Sequence, residues 1–291
     1  MPDPSKKKQT GIARCLKLRR NAKGRFVATN SVHADRVRRA RVPPAYKNPC
    51  INADPKKKLL WTATDRTGRL QYRYTPEWQA SAHARKYARL ATIGRALARI
   101  RMRVARDLSA PSSRSSWAGD REVAAIIGIL DLCRMRAGSR RYMKRSGVRG
   151  ATTIDPKHLR GNRLKWTAKS GVRRTCTVTD SSLVVSLPGA LGRVSARRLN
   201  EWLRPYNITT KDVRTWHANA LYVSALRAGK DSTACVRVAA EGLGHTPAVC
   251  RRNYLDPRVL AAKTPNDLPS APRRAPARLS KDEAVLLLYL K

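Results

Sequence analysis

The chain has 291 residues and a formal net charge of +43, from 62 Lys and Arg against 19 Asp and Glu. That imbalance repels itself unless a polyanion offsets it, so nucleic acid is the expected partner, held by contacts that weaken as salt rises. No apolar run is long enough to span a bilayer, no apolar signal-peptide core opens the chain, and the expected setting is intracellular. The six cysteines are Cys15, Cys50, Cys133, Cys176, Cys235 and Cys250. None forms a CxxC or stands at metal-ligand spacing from a His, so reduced thiols are expected, with no disulfide and no structural zinc.

In chain order, residues 1–10 are polar, carry Lys6-Lys7-Lys8 and read as a disordered basic arm. Residues 13–29 read as two short strands about the Gly24 turn. A short basic helix over 34–41 ends at Pro43-Pro44. Leu59 to Thr64 is a strand, Asp65-Arg66-Thr67-Gly68 a turn, and Arg69 to Tyr74 the next strand. On that strand Gln71 and Arg73 alternate with Tyr72 and Tyr74 across two faces, and this group is the candidate for contact with DNA bases or phosphates.

From Pro76 the period becomes helical: Tyr87, Leu90, Ile93, Leu97, Ile100, Val104 and Leu108 recur at spacings of three and four. Residues 109–119 read as a loop, with Asp120 capping a helix that ends at Cys133-Arg134-Met135-Arg136-Ala137-Gly138. Arg163 to Thr167 and Val172 to Val178 read as a hairpin with Lys169 at its tip. Helices follow from Ser195 to Leu203, from Thr209 or Thr210 to Leu226, and from Ser232 to Glu241, the last broken by Gly242 and Gly244. Thr246 and Pro247 suit the entrance of a short helix that carries His245 before it and Tyr254 near its exit. Residues 264–278 read as a Pro/Ala/Arg-rich linker, and Ser280-Lys281-Asp282-Glu283 as the capping box of a terminal helix. His217 and the tryptophans Trp61, Trp78, Trp166, Trp202 and Trp216 are ordinary packed residues on this reading.

Four segments then stand together: Arg136-Ala137-Gly138, Lys169-Ser170-Gly171, Lys211-Asp212-Val213-Arg214-Thr215-Trp216, and Gly244-His245-Thr246-Pro247 running on to Tyr254. In this order they resemble the type IB DNA topoisomerases, in the small form of poxviruses, other large DNA viruses and some bacteria. Val42 to Tyr46 and Gly68 to Tyr72 resemble the N-terminal domain of the same family. The likeness runs from about residue 13 to about residue 262. Ala168 departs from the Gly expected before the lysine, while His245 matches the viral members, since bacterial ones commonly carry Asn there.

The resemblance implies an α+β fold: a β-rich DNA-binding domain over 11–80, a mostly helical catalytic domain with a small sheet over 81–262, and a linker with a short helix over 263–291. The two domains would form a clamp around double-stranded DNA, as a monomer. It also implies that Tyr254 attacks a phosphodiester to give a 3′-phosphotyrosine, with Arg136, Arg214 and His245 on the phosphate oxygens and Lys169 as general acid, without ATP or metal. A phenol has a pKa near ~10, so it needs such cations around the reacting centre. The implied location is a viral factory, virion or host nucleus for a virus, and the nucleoid or cytoplasm for a bacterium. A tyrosine recombinase or integrase uses a similar set but carries His three positions before its second Arg, where this chain has Lys211. A non-enzymatic DNA-packaging protein would explain the charge and not the pattern.

Overall fold

The computed structural model describes residues 11–110 and 115–291; the expected basic arm and part of the expected loop at 109–119 lie outside them. The fold is α+β, and the chain divides into two compact units at Tyr87/Ala88.

The first unit holds an antiparallel pair, β1 (Leu18–Arg20) and β2 (Phe26–Ala28), a short helix α1 (Ala34–Ala40), and an antiparallel sheet in the order β3 (Lys47–Ile51), β4 (Leu59–Thr64), β5 (Leu70–Tyr74). Its small core gathers Leu16, Val37, Ala40, Val42, Ile51, Trp61 and Ala63. The Trp61 indole donates to the Ala40 carbonyl at 2.8 Å, which fastens α1 to the sheet. Strand β3 was not anticipated. Pro49 lies inside it and cannot donate to a ladder, and the register with β4 shifts between Lys47 and Cys50. Helix α2 (Pro76–Ala88) follows β5.

The second unit opens with α3 (Leu90–Ser109) and α4 (Ser115–Leu132). The single stripe expected from Tyr87 to Leu108 is therefore two helices, separated at Arg89. Asp120 lies within α4 rather than capping it, because that helix already runs from Ser115. Next come α5 (Arg140–Ser146), a three-stranded antiparallel sheet β6 (Leu159–Arg160), β7 (Arg163–Thr167), β8 (Arg173–Thr177), then α6 (Ser181–Ala190) and α7 (Ala196–Leu203). Helix α6 escaped the sequence reading because Pro188 and Gly189 sit in its last turn. The remaining helices are α8 (Thr210–Arg227), α9 (Ser232–Leu243), α10 (Pro247–Asn253), α11 (Pro257–Ala261) and α12 (Lys281–Tyr289). Gly242 stays helical, and only Gly244, at φ 65°, ends α9.

Helix α8 is the axle of this unit. Twelve of its residues are buried, the polar Arg214, Thr215, His217 and Asn219 among them. A helix surrounded on all sides has no amphipathic stripe to show in sequence. Trp216 is fully buried and its ring lies where a side chain on Gly94 of α3 would stand, so those two helices approach through the missing Cβ. Helix α12 starts with the expected Ser280–Glu283 capping box and buries Val285, Leu286 and Leu287 in the main core.

Its Glu283 receives hydrogen bonds from Arg101 of α3 and from the Trp216 indole at 2.8 Å. Arg101 also pairs with Asp131 of α4 at 2.7 Å, and the His217 imidazole lies 2.7 Å from the same carboxylate. Burial alone would push the Asp131 carboxyl up, but the His217 hydrogen bond and the Arg101 charge hold it far below the usual range.

The cysteines correct the sequence reading. Disulfides join Cys15 to Cys50 and Cys133 to Cys176, while Cys235 and Cys250 are free and buried. The partners are 35 and 43 residues apart in sequence, and only the fold brings their Cα atoms to 5.0 and 5.6 Å.

Candidate active site

Four of the five motif residues meet at one place in the second unit. Arg136 stands in the loop after α4 that a left-handed Arg134 begins, at φ 52°. That loop is pinned from outside: Ala151 N–H donates to the Arg136 carbonyl at 2.8 Å and Thr152 N–H to the Ala137 carbonyl at 2.7 Å. Gly150 lies directly beneath it. A Cβ there would come within 2.5 Å of the Arg136 carbonyl oxygen and 2.6 Å of the Gly138 nitrogen.

Arg214 projects from the second turn of α8, whose start is fastened by the capping box of Thr209 and Asp212. It is 4% exposed. Its Nη1 donates to the Arg134 carbonyl and its Nη2 to the Leu243 carbonyl, so one side chain holds the Arg136 loop and the end of α9 together. Its Nε is buried without a partner among the described residues. Burial and the nearby Arg136 charge lower its pKa to about 10, with Tyr254 acting in the opposite sense.

His245 follows the left-handed Gly244, and its N–H donates back to the Ala240 carbonyl at 2.8 Å. Its Nε2 lies 3.0 Å from Arg214 Nη2, and Arg136 Nη2 lies 3.3 and 3.4 Å from its two ring nitrogens. Burial comes first, then the charges of Arg136, Arg214, Lys169 and Arg174, and together they push the imidazole down to about 4. It is neutral near pH 7, and as the acceptor of an Arg214 N–H its Nε2 carries no proton.

Tyr254 closes α10, whose cap is Thr246 as expected, with Pro247 at its first position. Its ring sits 4.5 Å from the His245 ring, and the Arg214 guanidinium carbon lies 5.9 Å from its centroid. Asn219, fully buried on α8, donates to the Tyr254 carbonyl at 2.9 Å and accepts from Asp256 N–H at 2.8 Å. The backbone at and just after the tyrosine is thus tied to the helix that carries Arg214.

Lys169 is the exception. It stands exposed at the tip of the β7–β8 hairpin, in a turn where Ser170 has φ 68° and Gly171 φ 76°. Among the described residues its ammonium makes no hydrogen bond, although its charge is felt at His245. The hairpin is tied to the site by Arg174 of β8, which donates to the Glu241 and Gly242 carbonyls at 2.5 and 2.8 Å, just before His245.

Sequence reasoning missed Asn219, Arg174 and Gly150. Asn219 left one readable sign, an amide five positions after Arg214 in a helix otherwise rich in buried apolar residues. Gly150 and Arg174 left none, since each acts on residues distant in sequence. Among the described residues no group of three or more His, Cys, Asp and Glu side chains is placed to hold a metal ion. Nor, among the described residues, is any helix long and apolar enough to cross a membrane.

In the first unit, β5 carries the four residues expected to contact DNA. Tyr72 is 48% exposed and Arg73 is also exposed. Gln71 Nε2 donates to Asp65 Oδ2 at 2.7 Å, and Tyr74 stacks on Trp78 with ring centres 4.3 Å apart. Tyr72 and Tyr74 line an open cleft of about 760 Å³ shared with Arg14, Lys57 and Lys58.

Two comparisons with known proteins agree. The family model described as eukaryotic DNA topoisomerase I, catalytic core, matches residues 75–252, well over half of the chain. The matched span includes Arg136, Lys169, Arg214 and His245 and stops just short of Tyr254. The DNA topoisomerase 1B of Acanthamoeba polyphaga mimivirus is 23% identical, with 76% of this chain and 77% of that protein covered. The DNA topoisomerase I of monkeypox virus and the DNA topoisomerase 1B of vaccinia virus (strain Western Reserve) are each 22% identical, with 70% of this chain and 72% of theirs covered. This chain belongs to the type IB DNA topoisomerase family, in its poxvirus-like form.

Proposed function

We propose that this protein relaxes supercoiled double-stranded DNA by transient cleavage of one strand, with Tyr254 as the nucleophile. The reading is carried by one cluster: His245 and Arg214 lie beside the Tyr254 ring, and Arg136 lies against His245. The Tyr254 oxygen attacks a backbone phosphorus, forms the 3′-phosphotyrosine and expels the 5′-oxygen. Arg136 and Arg214 stabilise the charge that builds on the non-bridging oxygens, because their forked donors match a phosphate. Once the phosphate engages both guanidiniums, the imidazole of His245 no longer accepts from Arg214 and donates one N–H to the same oxygens. Lys169 protonates the leaving 5′-oxygen. Its exposed ammonium at a hairpin tip suits a group that meets its partner only when DNA is bound. Reversal religates the strand, and since one phosphate ester replaces another, no ATP is consumed.

The units divided at Tyr87/Ala88 would close on opposite faces of the duplex as a monomeric clamp, with β5 of the first unit supplying Gln71, Tyr72, Arg73 and Tyr74. Relaxation of supercoiled plasmid in EDTA without ATP, quenched with detergent, tests the proposal. The expected result is relaxed plasmid and a protein covalently joined to a 3′ end. Tyr254→Phe should bind DNA and lose both signals. Residual relaxation by that variant would remove Tyr254 from the mechanism, recombined products would favour a recombinase, and tight binding without an adduct a packaging protein.

A further inference from the structure

Lys169, assigned to the leaving group, and Arg136, one of the residues assigned to the phosphate, lie on separate pieces of chain, and a covalent bond joins those pieces. Cys133 follows α4 directly and precedes Arg136 by three residues. Cys176 lies on β8, opposite Leu164 of β7, in the hairpin whose tip is Lys169. Among the described residues the hairpin is also held by β6, which pairs with the start of β7, and by Val178 in the core. Leu164 and Trp166 are buried, Arg174 holds the carbonyls before His245, and the Thr167 carbonyl accepts from Arg149 N–H at 2.8 Å. Alternate residues of both strands are exposed, and the turn beyond them is exposed at Lys169, Ser170 and Gly171.

We propose that the Cys133–Cys176 bond is a positioning cross-link for strand cleavage. It sets the hairpin that carries Lys169 against the loop that carries Arg136, so the cleavage rate follows the oxidation state of this cysteine pair. The proposal rests on the reading of Lys169 as general acid. A dithiol reductant delivers two electrons and two protons to the bond, yielding two thiols and leaving the dithiol as its own disulfide. A small-molecule disulfide such as oxidised glutathione reverses the exchange. The reduced hairpin keeps its buried pair and its Arg174 bonds, so the protein stays folded while Lys169 loses its fixed distance from the phosphate.

The test is single-turnover cleavage at saturating DNA, with and without dithiothreitol, on duplexes carrying either oxygen or sulfur at the 5′ leaving position. A sulfur leaving group needs no general acid, so it separates Lys169 placement from a general loss of fold. In the untreated protein, thiol titration after denaturation should find only the two free cysteines, Cys235 and Cys250. Reduction should slow cleavage of the oxygen substrate by about tenfold or more and leave the sulfur substrate unaffected. The Cys133→Ser/Cys176→Ser variant should be equally slow and indifferent to reductant. The Cys15→Ser/Cys50→Ser variant should still respond.

Equal rates before and after reduction overturn the proposal, as does finding all six thiols free in untreated protein. Equal slowing of both substrates also overturns it, since the pair would then act on the whole fold. Lys169→Ala serves as the separate control. If sulfur rescues it while reduction does nothing, the cross-link inference alone falls. If sulfur fails to rescue it, the general-acid reading falls and takes this inference with it.

Discussion

Gly150→Ala tests whether the Arg136 loop is held by backbone packing from below. The backbone of Gly150 is extended, at φ −141°, so alanine adds no conformational strain there. The whole effect comes from one methyl group, which would meet the Arg136 carbonyl oxygen at 2.5 Å and the Gly138 nitrogen and Cα at 2.6 and 2.7 Å. Ordinary contacts begin at 3.4 Å, and the obstacles are main-chain atoms that cannot rotate away. The loop must therefore shift by about 1 Å, and a misplacement of that size near a reacting centre costs on the order of 100-fold in rate. A 100-fold loss corresponds to about 2.7 kcal/mol of transition-state stabilisation. Overpacking should also lower stability by about 1–3 kcal/mol. Single-turnover cleavage of a duplex in EDTA reads the first quantity, and a denaturant midpoint the second. DNA retention should change little, since the atoms nearest the added methyl are main-chain atoms of Arg136 and Gly138. A variant that cleaves within about threefold of the parent would refute the reasoning, because it would mean that the loop yields or that Arg136 tolerates the shift.

Two further outcomes follow from buried charge. His245 has a folded pKa of about 4 against an ordinary 6.5, so the unfolded chain takes up its proton first as pH falls. Its contribution to stability is present above about pH 6.5 and is lost as pH drops towards 4. His245→Asn should flatten the pH dependence of the urea midpoint across that window, and parallel profiles for the two proteins would contradict the neutral imidazole. Glu283→Ala leaves Arg101 with the Asp131 carboxylate and the Arg278 carbonyl and strips the Trp216 indole of its acceptor. Breaking a buried pair by removing one partner costs about 3–5 kcal/mol. A loss below about 1 kcal/mol in chemical denaturation would show that α12 is an appendage to the core, as surface pairs of that worth are.

Some of this protein was written in local pattern. The hairpin about Gly24, the strands ending at Thr64 and Tyr74, the β7–β8 hairpin with its Lys169 tip, and the caps at Ser195, Thr209, Thr246 and Ser280 depend on neighbours a few residues away. Turn chemistry and capping act over that distance, so the linear order of residues suffices for them. The motif order that carries Arg136, Lys169, Arg214, His245 and Tyr254 was equally legible, because each segment has its own recognisable neighbours.

What the tertiary structure alone decided is how distant segments meet. Asn219 reaches Tyr254 across 35 residues, Arg174 reaches Glu241 across 67, and Arg101 reaches Glu283 across 182. No local preference encodes such pairings, which exist only once helices have packed in one arrangement. The disulfides belong here too. Spacing in the chain spoke for free thiols, and it could not reveal that Cys133 at a helix end and Cys176 on a strand would be brought to bonding distance. Helix α8 shows the same limit from the other side: buried all round, it has no stripe for a sequence to display, yet its Arg214, Trp216, His217 and Asn219 each find a separate partner. Unpaired, those polar groups would cost more than their burial returns, so only the completed packing makes that helix stable.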